Sequence, residues 1–156
     1  MIFIDHLAPC FGAKLIAKYC ELDSRVKDIT NFILHWANIK GIINPTKGYL
    51  SSYALELMVI FFLQLQDDCI LPSIQLYAKT ELEPKMMPIT SFQAITSAGR
   101  KYSHKKILQF NFAFNSVDVN EMKDKLDLPK NYENVATLVT KFFYYFSFDY
   151  PVRIHN

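Results

Sequence analysis

The spacing of apolar and polar positions predicts a chain built mainly from helices. Residues 13–20 place Leu15, Ile16 and Tyr19 on one side of a short helix. Asp23 or Ser24 then offers an N-cap to a longer one. In it Val26, Ile29, Phe32, Ile33, Trp36 and Ala37 follow three- and four-residue steps and form a one-sided apolar stripe. Gly41 is the expected C-cap glycine, and Asn44-Pro45-Thr46-Lys47-Gly48 has the chemistry of a turn. Ser51 or Ser52 caps the next helix, which runs to about Gln66. Between residues 53 and 63 it is apolar almost all round, with Glu56 its sole charge, so it is expected to be a buried central spine. Leu71-Pro72 ends that region. Residues 72–106 hold Pro84, Pro88 and Gly99 and read as irregular connection with one short helix. Leu108, Phe110, Phe112 and Phe114 alternate with period two and predict a strand. A last helix over residues 134–146 carries Val135, Leu138, Val139, Phe142, Phe143 and Phe146 on one face. The expected fold class is mainly α: a single helical domain over residues 1–156, with one short β element near 108–114.

Composition narrows the possible functions. The 156 residues are 51% hydrophobic, with 17 Lys+Arg against 15 Asp+Glu, a balance that excludes both a disordered chain and a general polyanion binder. Cys10, Cys20 and Cys69 are odd in number and widely spaced, which points to reduced thiols in an intracellular compartment. His6, His35, His104 and His155 have no zinc-site spacing, so no metal ligand is expected. Residues 1–6 lack the basic and apolar regions of a signal peptide. The longest apolar run, residues 57–65, falls far short of the roughly 20 residues a membrane span needs. No membrane partner is expected. The 23 aromatics (13 Phe, 9 Tyr, 1 Trp) imply a large core or flat surfaces for stacking. Trp36, Phe61, Phe62, Phe142, Phe143 and Phe146 are expected in the core.

Several ordered motifs carry the reading further: Trp36-Ala37, Gly48-Tyr49-Leu50-Ser51-Ser52-Tyr53, and Met58-Val59 followed by Leu63-Gln64. Upstream lies Tyr19-Cys20-Glu21-Leu22-Asp23-Ser24-Arg25-Val26. Downstream lie Phe142-Phe143-Tyr144-Tyr145 and Phe148-Asp149-Tyr150. Together they resemble the central domain and the poly(A)-polymerase-associated segment of non-canonical poly(A) polymerases and terminal uridylyltransferases. The resemblance implies a role in template-independent addition of nucleotides to RNA 3′ ends, with Mg²⁺ or Mn²⁺ and UTP or ATP used by a full-length member. The implied partners are RNA and a nucleoside triphosphate, with a palm domain or another protein chain supplying the rest of the enzyme.

In that family a palm domain bears Gly-Ser followed by Asp-x-Asp and a later third carboxylate, which hold two metal ions. These 156 residues contain neither Gly-Ser nor Asp-x-Asp. Glu21-x-Asp23 has the nearest spacing, and helix capping explains it. Residues 1–6 look like the point just after the third carboxylate, with Met1 in its place. No catalytic residue, metal ligand or cofactor is therefore expected in this chain, and the isolated chain is expected to be inert. The nucleotide pocket is eroded too. Gly12 stands where the family has a ribose-contacting Asn, and Leu34 and Asn38 stand where it has lysines for the triphosphate. What survives is Ser52, implied to contact the phosphates, and Tyr53, implied to stack on the base.

Other residues have plainer readings: Ser51 and Ser52 as helix caps, and His35 as a neutral, satisfied side chain. Arg100, Lys101, Lys105 and Lys106 surround Tyr102 in the densest basic patch, a weak candidate for RNA-backbone contact. The alternative to a tailing enzyme's central domain is a non-catalytic scaffold or interaction module in an RNA-processing complex.

Overall fold

The computed structural model describes residues 7–89, 93–95, 101–103, 108–128 and 130–150. Six helices carry it: α1 (Leu7–Leu22), α2 (Ser24–Ile39), α3 (Ser52–Gln64), α4 (Ile74–Glu81), α5 (Val119–Leu126) and α6 (Val135–Tyr144). Four short strands make two antiparallel pairs. β1 (Met86–Ile89) pairs with β4 (Leu108–Asn111), and β2 (Gln93–Ile95) with β3 (Lys101–Ser103). The fold is mainly α. It divides into two compact units, one of Met1–Lys18 with Ser73–Leu126, the other of Tyr19–Pro72 with Asp127–Asn156. None of the described helices is long and apolar enough to cross a membrane.

The second unit holds the residues that resemble the tailing enzymes. Asp23 caps α2, its carboxylate accepting from the Arg25 N–H at 2.9 Å. One face of α2 buries Val26, Ile29, Ile33 and Ala37. The helix ends in a Schellman motif: the Gly41 N–H donates to Asn38 O and the Ile42 N–H to Ala37 O. Gly41 sits there at φ +68°, a conformation that favours glycine. Packed against α2 are α3, which buries Leu55, Val59, Ile60, Phe62 and Leu63, and α6, which buries Leu138, Val139 and Phe142. Phe62 and Phe142 meet edge to face with centroids 5.7 Å apart. After α6 the chain adds one π-helical turn over Tyr145–Asp149.

Arg25 fastens the approach to α6. Its guanidinium donates to the Asp23 carboxylate, to Asn131 Oδ1 at 2.9 Å and to the Glu133 carbonyl at 2.7 Å. Asn131 in turn accepts from the Glu133 N–H, and Asn134 caps α6 by accepting from the Thr137 N–H. Glu133 and Lys141 form an ion pair beside this cap.

In the first unit Lys18 Nζ donates to the Val117 carbonyl at 2.6 Å, and Phe11 stacks on Phe112 at 5.3 Å. α4 packs on the 3₁₀ turn Ala113–Ser116, and Ile74, Ala78, Ala113, Phe114, Val117, Val119 and Met122 are buried.

Six expectations are corrected. α1 starts at Leu7 rather than near Ala13, because Pro9 falls in the first turn, where its missing N–H is harmless. α3 is not buried all round: Tyr53 and Phe61 are exposed, because α2 and α6 cover only part of its surface. Of the expected core aromatics only Phe62 and Phe142 are buried. Phe61 is 41% exposed, Trp36, Phe143 and Phe146 are half-buried, and Phe32 on the α2 stripe is 52% exposed. The strand at 108–114 stops at Asn111, whose side chain accepts from the Ala113 N–H and turns the chain into the 3₁₀ segment. Its partner β1 comes from the region expected to be irregular. Helix α5 escaped the periodicity altogether, although Asp118 accepts from the N–H groups of Asn120 and Glu121 in a normal cap.

Two outcomes follow. Phe62→Ala should lower unfolding free energy by about 3–5 kcal/mol, whereas Phe61→Ala should cost under about 1.5 kcal/mol, both read by urea melts. Arg25→Ala should cost about 1.5–3 kcal/mol, and Arg25→Lys should restore less than half of the loss, because an ammonium cannot reproduce the planar fork.

Candidate functional site

The site is built by the connection between α2 and α3. Pro45–Lys47 forms a 3₁₀ turn, and Gly48 at φ +83° reverses the chain. Tyr49 N–H returns to the Asn44 carbonyl, and Leu50 bridges to Ile43. The chain then enters α3 through Ser51, whose Oγ accepts from the Ala54 N–H at 3.1 Å. Ser51 is thus the cap and Ser52 is not. No hydrogen bond occupies the Ser52 hydroxyl among the described residues, and it lies exposed on the first residue of the helix. The first-turn N–H groups of a helix favour an anion at this position.

Tyr53 follows Ser52 and is 44% exposed. Tyr53, Glu56 and Ile60 share one stripe of α3 at i, i+3 and i+7. Cover increases along it: Tyr53 is exposed, Glu56 half-buried and Ile60 buried. Partial burial pushes the Glu56 carboxyl above the usual carboxylate range. Partial burial, with Glu56 adding its negative charge, pushes the Tyr53 phenol up as well. The Cys20 thiol is also raised, first by burial and then by Glu56, against a lowering by Lys27 and a further raising by Glu21. The ion pairs Arg25–Asp23, Lys125–Glu121 and Lys141–Glu133 do not engage Glu56. Sequence reasoning passed over Glu56 as a functional group. Its signal was its standing as the one charge in an otherwise apolar helix.

The remaining candidates fall as follows. Leu34 is half-buried and Asn38 exposed on α2, and neither brings charge to the helix. His35 is exposed. Arg100, Lys105 and Lys106 lie outside the described residues, and Lys101 is placed only by its backbone in β3, opposite Ile95. Among the described residues no three His, Cys, Asp or Glu side chains gather as a metal site would need, and no disulfide joins Cys10, Cys20 and Cys69.

The chain is similar to Poly(A) RNA polymerase GLD2-A of Xenopus laevis, with 46% identity over 61 residues, 39% of this chain and 12% of that protein. Poly(A) RNA polymerase GLD2 of Homo sapiens is 41% identical over 72 residues, 46% of this chain and 15% of its own. The mitochondrial Poly(A) RNA polymerase of Drosophila melanogaster is 35% identical over 77 residues, 49% of this chain and 13% of its own. The matched stretch resembles non-canonical poly(A) polymerases. The match spans 12 to 15% of the length of these three polymerases. No protein-family profile matches the chain.

The half-buried carboxylate in this stretch has a measurable consequence. Its folded-state pKa lies above the ordinary value of 4.5. Glu56 therefore contributes most below that value, and its contribution is lost as pH rises through the raised one. Glu56→Gln, which does not titrate, should melt higher than wild type at about pH 8, with the gap closing as pH falls toward 4.5. Thermal melts across that window check this, and a gap that widens on acidification would contradict it.

Proposed function

We propose that this chain is the nucleotide- and RNA-contacting central part of a template-independent RNA 3′-terminal nucleotidyltransferase, inert in isolation. The observation that carries the reading is the start of α3, where a capped turn presents an unengaged Ser52 hydroxyl and an exposed Tyr53 ring side by side. The ring offers a base a stacking face and the serine offers a phosphate oxygen a donor. Arg100, Lys101, Lys105 and Lys106 would follow an RNA backbone. The similarity to enzymes named as poly(A) RNA polymerases makes RNA ends and a nucleoside triphosphate the natural substrates of the complete assembly. Tyr53 and Ser52 can bind and orient a nucleotide. Phosphoryl transfer also requires carboxylates that hold divalent metal ions, and the residues present do not fit that role, since the sequence has no Asp-x-Asp.

A second reading has its own observation. Leu34 and Asn38 occupy the positions that the family resemblance assigns to triphosphate-holding lysines, and an uncharged pair there weakens anion binding. On that reading the helices serve as a scaffold within an RNA-processing complex and nucleotide contact is vestigial.

The purified chain, incubated with labelled RNA, Mn²⁺ and each nucleoside triphosphate, should give no 3′ extension. Extension that Tyr53→Ala abolishes would overturn the inert assignment. In a titration with ATP and UTP, binding should be weaker than micromolar, and Tyr53→Ala should weaken it by about 5- to 150-fold. Affinity indifferent to Tyr53→Ala would favour the scaffold.

A further inference from the structure

Glu56 is an odd residue for a place one helical turn from a nucleotide-stacking ring. A carboxylate there repels a triphosphate, and its partial burial raises its pKa without any ion pair among the described residues to offset the cost. Spacing of i, i+3 sets the Cβ atoms of Tyr53 and Glu56 about 5–6 Å apart on one face of α3. A base lying on the exposed Tyr53 ring would bring its polar edge within reach of that carboxylate. Ile60, the next residue along the stripe, is buried, so Glu56 is the last group on it that a ligand can meet.

An ionised carboxylate accepts hydrogen bonds and donates none. Cytosine and uracil differ along this edge: cytosine carries an exocyclic amino donor at position 4 beside a bare N3, whereas uracil carries a carbonyl acceptor there and an N3–H donor flanked by two carbonyl oxygens. Adenine likewise presents an exocyclic amino group. Donation from such a group to a half-desolvated carboxylate gives a charge-assisted hydrogen bond, whereas uracil's single N–H brings a carbonyl oxygen on either side against the carboxylate, and a uracil carbonyl set against it leaves both acceptors unmatched. The repulsion of the triphosphate is common to every nucleotide and cancels in a comparison between them.

We propose that Glu56 determines base specificity at the Tyr53 platform, selecting nucleotides whose base bears an exocyclic amino group over those with a uracil carbonyl. This rests on the nucleotide-contacting role given to Tyr53 above. The neighbouring titratable groups are Tyr53 on the same helix and Cys20 at the end of α1, with Glu21 and Lys27 acting on Cys20 in turn. Each is a fixed background in the comparison.

Ligand-observed NMR titrations of the full chain with CTP, ATP and UTP at about pH 8 test it. CTP and ATP should bind about tenfold or more tightly than UTP. Glu56→Gln, whose amide both donates and accepts, should bring the CTP-to-UTP ratio close to one. Tyr53→Ala should weaken all three nucleotides. Equal affinity of the wild-type chain for CTP and UTP, with Tyr53→Ala still weakening both, would overturn the role of Glu56 and leave the platform standing. A ratio unchanged by Glu56→Gln would do the same. Binding of none of the three at millimolar concentration would overturn both the platform and the selectivity built on it.

Discussion

The second unit depends on the contact between Phe62 of α3 and Phe142 of α6. Both rings are buried, and each reaches the other edge to face across helices far apart in sequence. The apolar face of α2 packs with the same two helices, so one hydrophobic seam holds all three. Such a seam is non-directional and would tolerate sliding. The polar groups at its margin set the register: Arg25 ties the start of α2 to the irregular approach to α6 at Asn131 and Glu133, and the Tyr19 hydroxyl accepts from Gln64 at the far end of α3. These hydrogen bonds are directional and unforgiving of misplacement.

Because α2 and α6 cover only part of α3, its first turn stands free. The same helix therefore does two jobs. Its later turns are core, its first turn presents Ser52 and Tyr53, and the half-covered Glu56 follows at the start of the next. The gradient of burial along the Tyr53–Glu56–Ile60 stripe is what makes the carboxylate costly enough to matter and accessible enough to act. A fully buried acid would stay neutral or be paired, and a fully exposed one would be screened by water. The aromatic surplus follows the same division. Phe62 and Phe142 build the seam, whereas Phe61, Tyr144, Phe148 and Tyr150 remain exposed around it.

Much of the helical framework was legible in the sequence for local reasons. The cap candidates Asp23 or Ser24 and Ser51 or Ser52, and the C-cap glycine Gly41, act through atoms within a few residues, so residue type and spacing narrow each to one or two positions. The failures were also physical. Leu108 to Phe114 alternates like a strand throughout, yet Asn111 offers its side chain to the backbone and ends the pairing. α5 is short and polar, so its cap at Asp118 was the stronger signal and its periodicity the weaker one. Trp36 lies on an apolar stripe that periodicity assigns to the core, but its packing against Phe143 at 4.7 Å leaves part of the indole uncovered.

The sequence by itself determined the helical class, the positions of most caps and turns, and the run of residues shared with poly(A) polymerases, because each is encoded in short-range chemistry or in residue order. Only the tertiary structure decided which side of an apolar helix is inside. Residues 53–63 are nearly uniform in hydrophobicity, and nothing local separates Phe61 from Phe62 or marks Glu56 as half-covered. That distinction comes from how the neighbouring helices lie against α3, and it is the same distinction that turns the start of a core helix into a candidate binding site.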